Sequence, residues 1–440
     1  MNMKLKHLMF LGFSIVFVML YDNVEYLGVF VAITFGCFTL FDFLKGKEFK
    51  YIHLWNTAFI YIVCSEIILR SEELQNISEF GLEAVKLSLY ANYFVNLGHA
   101  VSAYTKENRG RMAIVVPSRN NKERVFYLLI SLALLYFVVS FPAALQAFRV
   151  GRLTLQEEQT TSFVNIVVGG LGLALPSILT YYHRFILKNR FLVLYIISLF
   201  LLIFPQFLWG TRFALLFSIV SSAIIWLYKR QLKRSVTIFI FGLGFLFLVV
   251  LNYIKLNRNA GDEKQEFSLL TNESSVSFPK QLASFGSDEG VVYGTAMMLK
   301  YIKEKDYLYG EASSFILYFW VPRDLWKDKP LQISHWLVRE YSTTNYSGVH
   351  SAAYGFWGEL FIDFGYFSLP IFLALGLGMK KLDVRRSYCF RHPNYQIVLY
   401  SLLFPYLFLS VRSPQTAFIS GVFLYITYRA IGFVIVKYAR

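Results

Sequence analysis

Residues 191–228 read FLVLYIISLFLLIFPQFLWGTRFALLFSIVSSAIIWLY, two apolar runs that meet at Gly210 and Thr211. Each run, 191–209 and 211–228, is close to the roughly 20 residues that a helix needs to cross the hydrocarbon core of a bilayer. Two residues are too few for a real loop, so the chain turns back at once. This stretch predicts a membrane-embedded helical hairpin.

The same pattern fills the chain, whose 440 residues are 56% hydrophobic and only 16% charged, against about 25% charged in soluble domains. This composition excludes a soluble enzyme with one anchor, a disordered chain and a disulfide scaffold. The first run has no small-residue cleavage site and is interpreted as a spanning helix rather than a signal peptide. We therefore expect an all-α, polytopic membrane protein with twelve spans, near 8–21, 26–44, 51–69, 80–104, 125–148, 163–182, 191–209, 211–228, 236–252, 353–379, 396–411 and 415–436.

The net charge of +15 is explained by the loops rather than by a nucleic-acid partner. The loops on the side of both termini hold 25 Lys and Arg, and the short loops on the other side hold five. The positive-inside rule then predicts cytoplasmic termini. Because the three cysteines lie far apart and no aspartate-rich motif appears on the outer side, we expect neither a disulfide nor a metal or other cofactor.

The predicted spans divide the chain into three parts: residues 1–252 with spans one to nine, a large external loop at 253–352, and residues 353–440 with spans ten to twelve. A loop of that length is usually functional. Its segments GVVYGTAMMLKYIKEK (290–305) and SSFILYFWVPRDLW (313–326) have enough apolar periodicity for helices on the membrane surface.

Three arginines are predicted on the outer face from separate segments. Arg212 opens the eighth span, Arg323 follows Pro322 in YFWVPRDLWKDKP (318–330), and Arg412 is the isolated charge in LSVRSPQTAF (409–418). Alternative interpretations are a snorkelling arginine for Arg212 and, for the second segment, an interfacial helix anchored to anionic headgroups. Arginine's planar fork suits phosphate, so their convergence favours an anionic, lipid-linked substrate.

The entry into the tenth span, GVHSAAYGFWGELFIDFGYFSLP (348–370), carries His350, Glu359 and Asp363. His350 is a candidate base, although a hydrogen-bonded interfacial histidine is the commoner role. The two carboxylates stand four residues apart on one helical face, which predicts a cationic partner or a wet cavity. They lie within one turn of one helix, whereas glycoside hydrolysis needs carboxylates on opposite faces of the sugar, which disfavours a hydrolase.

Together these motifs resemble the bacterial polymerases of O-antigen and related polysaccharide repeat units. The resemblance rests on the Gly-Thr-Arg helix opening at 210–212, the Pro-Arg-x-Leu-Trp-x-x-Lys-Pro run at 322–330, the Gly-x-His and Gly/Glu helix entry at 348–359, and the late outer Arg412, on a scaffold of a dozen spans with one large external loop.

The resemblance implies a membrane glycosyltransferase of the GT-C-like helical type in the bacterial inner membrane, acting on undecaprenyl-pyrophosphate-linked oligosaccharides without a nucleotide donor. Membrane lipids and a chain-length regulator protein are further implied partners, and nucleic acid is not. It implies a pyrophosphate site of Arg212, Arg323, Arg412 and Lys329, with His350, Arg323 and Glu359 as catalytic candidates and His350 orienting or deprotonating the acceptor hydroxyl.

Other functions stay open at this point. An O-antigen ligase would use the same arginines and histidine in the same roles and would differ only in its acceptor. A flippase or transporter would place charges along a central pathway, whereas most membrane charges here lie near the ends of spans. A purely structural or signalling protein would need no set of outer arginines.

Overall fold

The computed structural model describes residues 3–44, 50–76, 78–101, 121–150, 163–209, 212–227, 290–321, 325–326, 328–341, 353–391 and 395–439. Every regular element in these ranges is helical. The α-helices are Met3–Leu20, Val24–Leu44, Tyr51–Phe59, Ser65–Leu69, Ser71–Asn76, Ser78–Val101, Lys122–Val150, Phe163–Tyr181, Leu192–Leu208, Arg212–Leu227, Val291–Lys305, Glu311–Tyr318, Ile333–Tyr341, Gly355–Phe364, Ser368–Arg391, Gln396–Arg412 and Pro414–Ala439. Two π-helical turns, Ile60–Cys64 and Tyr182–Ile186, and a 3₁₀ turn, Gly365–Phe367, connect some of them.

Within the described ranges, four stretches are long and apolar enough to cross a membrane: Tyr51–Leu69, Lys122–Gln146, Gly355–Cys389 and Pro414–Ile435. Shorter apolar helices accompany them, among them Leu192–Leu208 and Gln396–Arg412. The predicted all-α class is thereby confirmed, together with apolar helices of membrane-crossing length. The predicted ninth span, 236–252, lies outside the described residues.

The chain forms two compact units. The first comprises Met1–Glu107, Glu273–Arg385 and Leu407–Ile419, and the second Asn108–Asn272, Arg386–Tyr406 and Ser420–Arg440.

Aromatic side chains form much of the core of the first unit. The ring centroids of Trp55 and Phe356 lie 4.7 Å apart, and those of Phe59 and Trp357 lie 5.9 Å apart. The Trp55 indole N–H donates to Asn92 Oδ1 over 2.9 Å, so this large ring is buried with its one donor satisfied. Aromatic packing therefore joins helix Tyr51–Phe59 to helix Gly355–Phe364.

Two glycines allow helices Ser78–Val101 and Ser368–Arg391 to cross closely. A Cβ on Gly98 would lie 2.1 Å from the Leu373 carbonyl oxygen, and one on Gly376 would lie 2.0 Å from the Val95 carbonyl oxygen. Only glycine fits at both positions, as is common where membrane helices pack on small residues. At the end of this crossing His99 Nε2 lies 3.0 Å from Asp383 Oδ2.

The second unit packs its helices through small and hydroxyl residues. Gln206 Nε2 donates to the Gly172 carbonyl over 2.8 Å, and Ser218 Oγ donates to Gln206 Oε1 over 2.8 Å. Outward-facing side chains on its helices are apolar, including Val138 and Phe200, which are 60% and 57% exposed. Apolar side chains on the outside and polar contacts inside are expected for helices surrounded by lipid.

One predicted boundary was wrong. The tenth span was expected to end at 379 and to be followed by a loop, but helix Ser368–Arg391 continues through the basic stretch. Asp383 and Arg386 are only 5% and 6% exposed, because the protein covers this part of the helix. Hydropathy reports contact with lipid, and it misses a helix whose charges are buried against protein.

Candidate functional site

The candidate site lies in the first unit and is organised by Glu359, on the helix Gly355–Phe364, called the acidic helix below. Glu359 is 2% exposed. Its Oε1 accepts a hydrogen bond from Ser413 Oγ over 2.9 Å, and its Oε2 accepts one from the Gln415 backbone N–H over 3.0 Å. Ser413 and Gln415 flank Pro414, where the last helix, Pro414–Ala439, begins. Glu359 thus caps the amino end of a helix from another part of the chain.

Pro414 suits that position because the first residue of a helix has no intrahelical partner for its N–H, and proline has none to satisfy. The remaining amides of the first turn carry partial positive charge, which stabilises a nearby carboxylate. Arg412, at the end of the preceding helix and partly buried, adds a favourable Coulombic interaction with Glu359. The Arg412 turn, residues 412–418, is therefore fixed on the acidic helix.

Asp363 makes the same kind of contact with a different helix. Its Oδ1 accepts from the Ala312 N–H over 3.1 Å, and its Oδ2 accepts from the Ser313 N–H over 2.7 Å. These amides belong to the first turn of Glu311–Tyr318, called the second loop helix below. Gly310 precedes that turn at φ +97°, a backbone conformation that favours glycine.

The expected cationic partner is found in part, because Arg412 interacts favourably with Glu359, but the hydrogen bonds of both carboxylates come from helix ends. Glu359 and Asp363 both bind the positive ends of helices, and each binds a different one. A helix amino end supplies partial positive charge and directed N–H donors. It satisfies a buried carboxylate as a cation would.

Lys329 holds the opposite end of the second loop helix. It is 8% exposed, and its Nζ donates to the carbonyls of Phe319 and Val321 over 2.8 and 2.9 Å. The ammonium also lies 5.3 Å from the centroid of the Phe315 ring. The structure therefore places Lys329 inside the protein, on backbone carbonyls, where a cation complements the carboxyl end of a helix.

The segment that carries Arg323 is anchored on both sides to the Arg412 turn. Before Arg323, the Phe319 ring lies 6.4 Å from the Phe418 ring. After it, Gln332 Nε2 donates to Thr416 Oγ1 over 2.9 Å. Arg323 itself lies outside the described residues. Two of the three segments predicted to carry functional arginines are thus brought together.

The other predicted residues are placed less fully. Helix Arg212–Leu227 begins at Arg212, which confirms the helix opening predicted there; it belongs to the second unit. His350 lies outside the described residues. Just after it in the chain, the Tyr354 carbonyl accepts a hydrogen bond from Thr295 Oγ1 over 3.1 Å, which ties the entry of the acidic helix to helix Val291–Lys305.

Sequence reasoning missed two further capping carboxylates. Glu66 accepts from the backbone N–H groups of Val291, Val292 and Tyr293 over 2.8 to 2.9 Å, and Asp383 Oδ1 accepts from the Tyr51 N–H over 2.8 Å. With Glu359 and Asp363, these are all the buried carboxylates among the described residues, and each caps another helix. For Glu66 the available signal was an acidic residue in the apolar run 51–69, which requires a partner. Asp383 lies among basic residues, in KKLDVRR (380–386), and gave no such signal.

Comparison of the chain with protein-family profiles, curated proteins and solved structures finds no match. Among the described residues there is also no group of three or more His, Cys, Asp or Glu side chains that could hold a metal ion.

Proposed function

We propose that the protein polymerises lipid-linked oligosaccharide repeat units at the outer face of the bacterial inner membrane, for O-antigen or a related surface polysaccharide. In this reaction the bond between the anomeric carbon of the growing glycan and its pyrophosphate oxygen breaks. The terminal hydroxyl of a second lipid-linked unit forms the new glycosidic bond, and its proton passes to a base, which we propose is His350. The electron pair stays on the leaving polyprenyl pyrophosphate.

One observation supports this proposal above the others: the Arg323 segment and the Arg412 turn are held together by contacts on both sides of Arg323. Two arginines on adjoining segments suit a pyrophosphate, whose two phosphoryl groups each accept a bidentate guanidinium. Negative charge grows on the pyrophosphate as it leaves. Fixed cations at that point would supply most of the rate, together with orientation of the acceptor hydroxyl.

The contacts give Glu359 and Lys329 positioning roles in this proposal. Both oxygens of Glu359 already accept hydrogen bonds from the start of the last helix, so it would fix the turn that presents Arg412. Lys329 binds the carbonyls of Phe319 and Val321, just after the second loop helix ends at Tyr318. It would therefore fix the backbone that leads into Arg323. The pyrophosphate contact proposed for Arg212 rests on its sequence motif alone.

The finer topology is part of the same proposal. It has twelve spans of a GT-C-like membrane glycosyltransferase, cytoplasmic termini, and the segment 253–352 on the periplasmic side, where a chain-length regulator would meet the growing glycan. The distribution of Lys and Arg supports this orientation.

The test uses purified full-length protein and lipid-linked oligosaccharides extracted from a strain in which this gene is deleted. We expect a ladder of products whose steps are whole repeat units, formed without nucleotide sugar. Arg412→Ala should abolish the ladder, and Arg429→Ala, which removes an exposed arginine on the following helix, Pro414–Ala439, should not. Transfer only to added lipid A core would indicate a ligase. Movement of the lipid without any new bond would indicate a flippase.

A further inference from the structure

Four large apolar side chains are exposed within ten residues at the end of the second loop helix and just beyond it. Leu317, Trp320, Leu325 and Trp326, called the apolar patch below, are 75%, 69%, 81% and 40% exposed. Single exposed apolar residues are ordinary on a protein surface, but a contiguous group marks a surface that meets a partner or a membrane.

The Trp320 indole can enter an apolar environment without leaving a hydrogen-bond donor unsatisfied. Its only hydrogen-bond donor, the ring N–H, donates to the Leu317 carbonyl over 2.8 Å. The exposed ring therefore needs no hydrogen bond from water. A tryptophan with an apolar body and a satisfied polar edge is typical of the headgroup region of a bilayer.

The helix that leads into the patch is fixed at its amino end to a stretch of membrane-crossing length. Asp363 caps the second loop helix, and Asp363 lies on the stretch Gly355–Cys389, which is long and apolar enough to span. On the same stretch Tyr366 and Phe367 are 74% and 84% exposed. A bilayer that receives this stretch is the nearest apolar medium for the patch.

The charge of this segment distinguishes electrostatic binding to anionic headgroups from insertion of apolar side chains. From 323 to 328 the sequence holds Arg323, Asp324, Lys327 and Asp328, whose formal charges cancel. The next cation, Lys329, points at backbone carbonyls inside the protein. The segment therefore has no net positive charge with which to bind anionic headgroups, and its attraction to the bilayer must come from apolar area.

We propose that the apolar patch inserts into the boundary between headgroups and acyl chains on the outer face of the membrane, and that this insertion does not depend on anionic lipid. The insertion is a property of the surface and does not require that the protein polymerise glycans.

The experiment uses the full-length protein in proteoliposomes, with Cys37, the one exposed cysteine among the described residues, replaced by Ser. A spin label is attached through Leu325→Cys, and the matched control is Lys305→Cys, an exposed position at the end of helix Val291–Lys305. Collision of the label with oxygen, which concentrates in lipid, and with a water-soluble nickel chelate gives its surroundings and depth. The measurement is made in phosphatidylcholine alone and with added phosphatidylglycerol.

We expect the label at 325 to be accessible to oxygen and shielded from nickel, at a depth of about 5 to 10 Å, equally in both lipid compositions. The label at 305 should be accessible to nickel. Trp320→Ser should move the 325 label toward water. Nickel accessibility at 325 equal to that at 305 would overturn the proposal. Shielding from both reagents would also overturn it, since it indicates cover by a second copy or another protein. Insertion only with phosphatidylglycerol would overturn its apolar basis.

Discussion

Replacement of Glu359 by Gln distinguishes a capping carboxylate from a catalytic one. Gln has nearly the same shape, and its side-chain oxygen can accept from the Gln415 N–H while its NH₂ group donates to Ser413 Oγ, because a hydroxyl both donates and accepts. Both contacts of 2.9 and 3.0 Å therefore survive with one reversed. What is lost is the charge at the helix end, which contributes about 0.3 to 2 kcal/mol.

Since 1.4 kcal/mol is a factor of ten, a loss of up to about 2 kcal/mol is roughly thirtyfold, and Glu359→Gln should keep turnover within that factor of the native protein. Glu359→Ala leaves the buried Gln415 N–H without its acceptor, at about 1 to 3 kcal/mol, while the Ser413 hydroxyl keeps Thr416 Oγ1 at 3.0 Å. It also removes the charge at the helix end, so it should lower the melting temperature and turnover more than Glu359→Gln does. The assay measures the rate of ladder formation and the melting temperature of purified protein. Asp363→Asn is the contrasting capping variant, because both Asp363 oxygens accept backbone N–H groups and Asn keeps only one acceptor. A loss of 10² to 10⁴ in turnover for Glu359→Gln at an unchanged melting temperature would refute capping, since that is the effect of removing a general base.

Three further predictions concern other parts of the molecule. Lys329→Met should lower the melting temperature and reduce turnover, because two carbonyls lose charged hydrogen bonds of about 1.5 to 3 kcal/mol each. Lys329→Arg retains donors and should recover most of the melting temperature and most of the turnover. Equal behaviour of the two variants would contradict the assigned contact. Arg323→Ala and Arg412→Ala should each cost on the order of 10²-fold or more in turnover, with only partial rescue by Lys, and full activity of both Lys variants would show that no bidentate contact is made. Single-cysteine labelling of intact cells with an impermeant reagent should mark Ser274→Cys and leave Ser118→Cys unmarked, and the reverse pattern would overturn the orientation.

Much of the fold was predictable because hydropathy and helix geometry act locally. The hairpin at 191–228 forms helices Leu192–Leu208 and Arg212–Leu227, with Arg212 as the first residue of the second helix. Helices also form in the two segments where they were expected, 290–305 and 313–326, as Val291–Lys305 and Glu311–Tyr318, although the second ends at Tyr318. The prediction was wrong at the end of helix Ser368–Arg391, where the side chains are buried against protein instead of contacting lipid.

The candidate site was predictable only in part, because its geometry depends on partners distant in sequence. The motif around Arg323 and the isolated Arg412 indicated two segments of interest, but nothing in either motif placed Phe319 beside Phe418 or Gln332 beside Thr416. The four-residue spacing of Glu359 and Asp363 correctly put them on one helix. Their use as caps for two other helices could not be seen without those helices.

The capping carboxylates also explain how short helices between 290 and 341 keep a defined position. An isolated helix of eight residues is unstable in water, because nucleation costs more than so few hydrogen bonds return. The second loop helix is held at its amino end by Asp363 and at its carboxyl end by Lys329, so both ends of its dipole meet the opposite charge. Gln415 Nε2 adds a bond of 2.8 Å to the Ala312 carbonyl, which ties this helix to the Arg412 turn as well. The acidic helix thus fixes two neighbouring segments through carboxylates one turn apart. A shift of that helix would move the Arg412 turn and the second loop helix, which leads into the Arg323 segment, together.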